Sequence, residues 1–375
     1  MARLFTDVSA SIADTYFAHA AALARRARGR AWPNPIVGCV IVRDGTIVGE
    51  GFHPRAGQAH AEVFALADAG AQAHGATAYV TLEPCAHHAK TPPCTDALIA
   101  AGISRVNVGM ADPNPEAAGG ADKLSAAGIK VTFAEDPRPF AALNSGWFKR
   151  LASGRPLVTV KSGLSLDAQV AFAPGERAAI TGPHGAEVTR RLRSRADAVL
   201  VSAATVLADD PALTIRDKHG ARAEHQPLRV VLARTTLPHE DARVFTDGAA
   251  PTLLLASDLA DDDALASVPD RVQVVRWSES GGLDAALHAL GGHGIGELLV
   301  EPGPRLLTAL WEADLIDEYV TVTAGGMAGA GVPLFIGDGD REGEALRSPM
   351  KALEAGIVGD VSVTTWSAQA RLGDE

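Results

Sequence analysis

Three residues, His60, Cys85 and Cys94, set the terms on which this chain can fold. Val63, Leu66 and Ala67 recur at helical spacing behind His60, so the histidine opens an amphipathic helix. Cys85 closes a β-rich run, "AYVTLEPC". Cys94 follows Pro92-Pro93 at a second helix start, where proline is tolerated because its missing N–H would be unpaired anyway. One imidazole and two thiols fit a tetrahedral zinc site with water in the fourth position. A helix N-terminus also lowers a thiol's pKa and favours the thiolate that zinc needs. Glu62 is left over. Two residues from His60, it is placed to take a proton from that water rather than to bind the metal. A purely structural zinc, closed by His87 or His88 as a fourth ligand, is the alternative, and it leaves Glu62 and its spacing unexplained.

The surrounding pattern alternates helix and strand. Phe17, Ala20, Ala21 and Ala24 mark one face of a first helix between Asp14 and Arg26. "PIVGCVIVRDGTIVGEGF" reads as a hairpin about Asp44-Gly45, because glycine accepts the positive φ of a tight turn. A strand at Ala76–Glu83, a helix from about Pro92 to Ala101, the strand "RVNVGM", a helix around Pro115–Ala127 and the strand "IKVTF" follow. These form a first domain at roughly residues 1–150. "GWFKRLASGRP" reads as a helix end and linker. The second domain, residues 155–375, has strands at "LVTVKSGLS", "ADAVLVS", "LRVVLA", "TLLLAS", "VQVVRW", "ELLVEP" and "EYVTVTA", with "VSVTTW" closing it. Helices around Pro183–Arg195, Leu283–Leu290 and Pro304–Glu312 separate some of them. No repeat relates the two halves.

Composition narrows the function. A formal charge of −11 over 375 residues disfavours nucleic-acid binding, which needs a positive field, but leaves room for a small anionic substrate held by a local basic cluster. Three cysteines are too few for a disulfide scaffold and suit a reducing compartment; Cys39, inside an apolar strand, reads as an ordinary buried thiol. No apolar run has signal-peptide or transmembrane character, so a soluble cytoplasmic protein without a membrane partner is the expectation.

His-x-Glu with Pro-Cys…Pro-Cys is the signature of zinc nucleobase deaminases, although eight residues rather than the usual two separate these cysteines. "PNPIVGCVIV", "HAEVFAL", "TLEPCAHHAKTPPCTDALI" and "DPNP", in this order, resemble the deaminase half of the bifunctional deaminase/reductase of riboflavin biosynthesis, whose cysteines are spaced this widely. The resemblance extends over nearly the whole chain. It implies a cytidine-deaminase-like first domain acting on 2,5-diamino-6-(5-phosphoribosylamino)pyrimidin-4-one, with Asn34, His53, His87, Lys90 and Asn114 lining the pocket and Lys90 reaching the phosphate. The family commonly has a further glycine where Ala121 stands, which leaves the shape of that loop open.

In the second domain, "LLVEPGPRLLTALWEADLIDE" reads as a buried strand, a Gly/Pro turn and a helix whose N-terminus could receive a phosphate. No G-x-G-x-x-G pattern supports a Rossmann domain. With "KSGLSLDAQVA" and "TRRLRSRADAVLVSAATVLADDPALTIR", this segment resembles the reductase half of the same family, a dihydrofolate-reductase-like α/β fold using NADPH. The resemblance implies NADPH contacts from Gly163, Ala179, Thr205, Asp209 and the turn Gly303, Pro304, Arg305, Leu306 and Leu307. It implies substrate contacts from Arg177, Arg193, Leu213, Arg216 and Glu301, proton delivery by Lys161 or Asp209, and a homo-oligomer. The cluster Arg190, Arg191, Arg193 and Arg195 reads partly as a solvated helix face, so not every arginine in it is assigned to phosphate. Three departures fall here: Ala168 replaces a usual glycine after Asp167, Arg177 a substrate-facing serine, and Ala179 a tryptophan beside the cofactor. The competing reading is a single-activity zinc deaminase whose C-terminal half only binds.

Overall fold

The computed structural model describes residues 12, 14–86, 93–173, 179–217, 219–336 and 350–368. The chain divides between Ser153 and Gly154 into two compact units.

The first unit is a three-layer α/β/α arrangement. Its elements begin with helix α1 (Thr15–Arg25), the hairpin β1 (Gly38–Arg43) and β2 (Thr46–Phe52), and α2 (Ala61–Ala69). There follow β3 (Thr77–Val80), α3 (Cys94–Ala100), β4 (Arg105–Val108), α4 (Gly120–Ala126), β5 (Lys130–Phe133), α5 (Arg138–Leu143) and α6 (Ser145–Ser153). The sheet runs β2-β1-β3-β4-β5, with β1 antiparallel to β2 and β3, and β3, β4 and β5 parallel. Ala61, Ala65, Leu98 and Leu124 from α2, α3 and α4 bury one face, while Phe17, Ala21, Phe140 and Leu143 from α1 and α5 bury the other.

Small residues decide how deep α2 sits. A side chain at Gly49 or Gly51 of β2 would lie 2.3 Å from the Ala65 carbonyl oxygen or 2.2 Å from that of Ala61. The helix therefore rests directly on strand backbone, with alanines facing glycines, and its N-terminus is carried to the end of the sheet where β3 runs out toward Cys85.

The second unit opens with β6 (Leu157–Leu164), β7 (Gln169–Ala171), α7 (Gly182–Arg193), β8 (Ala198–Ser202), α8 (Ala203–Asp209), β9 (Leu228–Ala233) and α9 (Arg243–Thr246). It continues with β10 (Thr252–Ser257), α10 (Asp262–Ala266), β11 (Gln273–Trp277), α11 (Gly282–Gly292), β12 (Glu297–Val300) and α12 (Pro304–Glu312). It ends with β13 (Glu318–Ala324), β14 (Val332–Pro333), β15 (Met350–Val358) and β16 (Val361–Ala368). Nine strands form one sheet, β11-β10-β9-β8-β12-β6-β13-β16-β15, parallel from β11 through β13 and antiparallel beyond. Successive residues of β8 enter opposite cores, Ala198 and Leu200 facing α11 and α12, Val199 and Val201 facing α7 and α8. Burial on both faces explains why these strands read as unbroken apolar runs.

Four differences from the sequence reading have physical causes. The buried face of α2 is Ala61, Ala65 and Ala69, small enough to rest on the glycines of β2, and not Val63, Leu66 and Ala67, of which Val63 and Ala67 are exposed. The helix expected from Pro115 starts at Gly120, because residues 114–118 form a turn in which Ala117 and Ala118 donate to the Asn114 carbonyl. The closing strand is half of a hairpin: β15, "MKALEAGIV", is rich in helix formers, and pairing with β16 overrides that preference. The short pair β7–β14 was likewise not anticipated.

Candidate functional site

The first site forms where α2, α3 and the segment after β3 meet. His60 is the N-cap of α2, Cys94 is the first residue of α3, and Cys85 lies between. Their ligand atoms all fall within 4.8 Å of one another. His60 Nδ1 is 3.1 Å from Cys94 Sγ and 3.6 Å from Cys85 Sγ. Donors on one tetrahedral zinc stand about 3.6 Å apart, given Zn–S and Zn–N bonds of about 2.3 and 2.0 Å. The donor set and spacing therefore fit zinc. Among the described residues no fourth metal-binding side chain joins the group; His87, His88 and Lys90 lie outside the described residues.

The protons tell the same story. The Cys94 thiol and the His60 ring hold Cys85 down to about 4, and the backbone N–H of Cys94 points at its sulfur from 3.4 Å. Cys94 is pushed up by that same sulfur and by burial. His60 is raised by its hydrogen bond to Cys85. An electron-rich group of this kind calls for a cation. Glu62 is 3% exposed, beside the Cys94 thiol; burial raises its carboxyl pKa against the opposing pull of His60. A carboxyl raised in this way is suited to both accepting and returning a proton.

His53 and Asn34 form an adjoining wall. The His53 ring stands edge-on to His60 at 5.3 Å, with Nδ1 3.0 Å from the Ala59 carbonyl and Nε2 3.1 Å from Asn34 Nδ2. A carbonyl only accepts and an amide nitrogen only donates, so the proton sits on Nδ1 and the ring is neutral. Burial lowers its pKa in the same sense. Opposite, Glu83 accepts from the backbone N–H of Asp112 at 3.2 Å and of Ala121 at 2.9 Å, tying the loop of Asn114 to the strand end before Cys85. A side chain on Gly120 would come within 1.8 Å of the Pro84 oxygen, and Gly119 takes φ of +91°. Those two glycines meet the demands of this loop, and Ala121 needs only an ordinary helical position. Glu83 was missed from sequence: nothing distinguishes it from any carboxylate at a strand end.

In the second unit, Arg193 and Glu301 form a two-pronged ion pair, Nε to Oε1 at 2.6 Å and Nη2 to Oε2 at 2.9 Å, while Nη1 donates to the Thr214 carbonyl at 3.0 Å. Burial alone would raise Glu301, but Arg193 and Lys161 outweigh it and hold the carboxylate low. Lys161 is lowered chiefly by burial. A side chain on Gly163 would lie 3.5 Å from Lys161 Nζ and 3.2 Å from Thr181 Cγ2, so the glycine keeps this space open. Thr205 sits on the first turn of α8, its Oγ1 3.0 Å from the Ser202 N-cap and near Gly303, the N-cap of α12.

Leu213, Leu306 and Leu307 turn their side chains into the two cores, and the Leu307 N–H is already donated to the Gly303 carbonyl at 3.0 Å. Asp209 ends α8, Arg216 and Arg305 are exposed, and Ala179 is exposed just before α7. Arg177 lies outside the described residues. Arg190 and Arg191 pair with Glu187 on their own helix, as a solvated face would. Ala168 takes φ of +57°, the conformation for which the usual glycine is suited.

Residues 11–110 match the cytidine and deoxycytidylate deaminase zinc-binding region, and residues 156–357 match the RibD C-terminal domain. The riboflavin biosynthesis protein RibD of Escherichia coli is 43% identical over 328 residues, covering 84% of this chain and 88% of that protein. This chain belongs to the RibD family. RibD of Aquifex aeolicus is 39% identical over 86% of this chain and 89% of its own length. Acinetobacter baumannii RibD superposes with a TM-score of 0.84 at 36% identity, covering 95% of this chain and 98% of that one. The Thermotoga maritima diaminohydroxyphosphoribosylaminopyrimidine deaminase/5-amino-6-(5-phosphoribosylamino)uracil reductase does so at 0.81 and 31%, covering 94% and 98%. The RibD architecture of a zinc-binding deaminase domain followed by a reductase domain is thus present, as the motifs implied, and the single-activity alternative is not favoured.

Proposed function

We propose that this chain deaminates 2,5-diamino-6-(5-phosphoribosylamino)pyrimidin-4-one and then reduces the ribosyl group of the product to ribityl. The observation that carries the reading is the His60–Cys85–Cys94 cluster beside a buried Glu62, on a chain that also carries the RibD C-terminal domain. His60, Cys85 and Cys94 would hold zinc, which would supply Lewis-acid activation of water. Glu62 takes the proton released from that water and hands it to the departing amine, which leaves as ammonia while the ring carbon gains oxygen. Asn34, His53 and Asn114 hold the pyrimidine, and Lys90 holds the phosphate. Neutral His53 meets the ring as a hydrogen-bonding group of fixed orientation, not as a charge.

When bound in the second unit, NADPH would supply hydride for the sugar C1. Gly163, Ala179, Thr205, Asp209 and the backbone of Gly303–Leu307 receive the cofactor. Arg193, Glu301, Arg216, Arg177 and the backbone of Leu213 receive the substrate. Lys161, half-buried and close enough to Glu301 to feel its charge, or Asp209 delivers the accompanying proton; positioning carries the rest of the step.

No helix among the described residues is long and apolar enough to cross a membrane, and a small phosphorylated pyrimidine as partner fits the family. A cytoplasmic homo-oligomer is part of the same proposal, and light scattering on eluting protein tests the assembly. The deaminase assignment is tested by Glu62→Ala. Ammonia release should fall by about 10²- to 10⁴-fold with zinc still bound stoichiometrically. Unchanged turnover in the zinc-loaded variant would remove Glu62 from the chemistry.

A further inference from the structure

The α5–α6 junction and helix α6, which enters the segment that reads as a linker, grip the loop of Asn34 on both sides. Asn144, at the α5–α6 junction and 4% exposed, accepts from the backbone N–H of Ile36 at 2.7 Å and donates from Nδ2 to its carbonyl at 3.0 Å. One side chain thus pairs with Ile36 as a neighbouring strand would. Six residues on, Arg150 Nη2 donates to the Pro33 carbonyl at 3.0 Å. Asn34 lies between the two anchored residues, with its own amide on His53 Nε2. His53 is held to the same segment, its backbone N–H donating to the Val37 carbonyl at 3.0 Å. Phe140 and Leu143 of α5 fix the junction by packing in one core with Phe17, Ala24 and Ile36.

We infer that Asn144 is a positioning residue for deamination, with Arg150 as its second anchor, so that residues 138–153 belong to the deaminase site rather than to a tether. Asn144 does not touch the reacting atoms; it acts through Ile36 on the placement of Asn34 and, through Val37, on His53. The matched zinc-binding region ends at residue 110, and no motif points to this contact. The inference rests on the reading of Asn34 as a substrate-binding group.

The test is a double-mutant cycle on the full-length, zinc-loaded enzyme, using Asn34→Ala, Asn144→Ala and the pair. Steady-state deamination, zinc content and NADPH oxidation with supplied deaminated intermediate are read on the same samples. Each single variant should raise KM for the pyrimidine by about tenfold, with zinc and reductase turnover unchanged. The double variant should be little worse than either single one, because the second change acts on a contact already lost. Additive effects, or an Asn144→Ala enzyme with normal KM while Asn34→Ala is impaired, would overturn the inference alone. An unaffected Asn34→Ala enzyme would overturn the substrate reading and the inference with it. Should Asn144→Ala lose zinc or fail to fold, Arg150→Met removes the other anchor from a half-buried position. It should raise KM in the same way, and a normal KM there would contradict the clamp.

Discussion

Replacing Glu301 by glutamine changes one atom in a largely buried ion pair of the second unit. Arg193 and Glu301 are 16% and 18% exposed and share two charge-assisted hydrogen bonds. Glutamine keeps one acceptor for Nε or Nη2, but its amide NH₂ then faces the remaining N–H. The guanidinium loses its counter-charge in a half-buried place where water replaces it only in part. Removing one partner of a buried pair costs about 3–5 kcal/mol, and the surviving hydrogen bond returns about 1 of these, so a loss of about 3 kcal/mol is expected. For a unit of this size that is a fall of about 6–12 °C in the midpoint of its transition. Urea and thermal unfolding followed by fluorescence report it, because Trp277, Trp311 and Trp366 lie in the second unit. The sign with pH is fixed. Glu301 is held low in the folded state, so its contribution is fully present above the ordinary carboxylate range, about 4.3, and is lost as pH falls through its lower folded value. The gap between wild type and Glu301→Gln should therefore be widest at neutral pH and close in acid. A loss below about 1 kcal/mol at pH 7, or a gap that widens in acid, would refute this account of the pair.

Other outcomes follow from single observations. Ala168 sits at φ of +57° with no glycine to relax it; Ala168→Gly relieves about 1–2 kcal/mol of left-handed strain and returns about half of that as unfolded-chain entropy. Unfolding by urea should show the second unit stabilised by about 0.5–1 kcal/mol. Stripping the metal with a chelator should abolish ammonia release while leaving NADPH oxidation with supplied deaminated intermediate intact; loss of both would contradict a metal requirement confined to the first unit. Gly120→Ala forces a methyl onto the Pro84 carbonyl, so it should lower deamination and zinc retention together, read as zinc per chain and ammonia release.

What sequence revealed follows from the physics of each feature. The metal cluster was legible because only a few residue types bind zinc and their spacing implies the elements that carry them. The parallel strands were legible because burial on both faces leaves continuous apolar runs, as in β8 and β10. Glu83 and Asn144 were not legible, because a side chain that holds a backbone group leaves no periodicity and its partner can be 108 positions away. The edge strand β15 was hidden by its Lys, Ala, Leu and Glu, whose local preference is helical and whose strand state exists only through β16. Leu213, Leu306 and Leu307 show the limit of resemblance: matching position names the residue but not which of its atoms can meet a ligand.

The claim at the centre is that one chain carries out both steps. The direct measurement supplies purified, zinc-loaded protein with the phosphoribosyl-diaminopyrimidinone, with and without NADPH, and follows ammonia and NADPH separately. Ammonia is expected in both cases, and NADPH oxidation should begin only after deaminated product has formed. Ammonia without oxidation would contradict the second activity, and no ammonia would contradict the substrate itself.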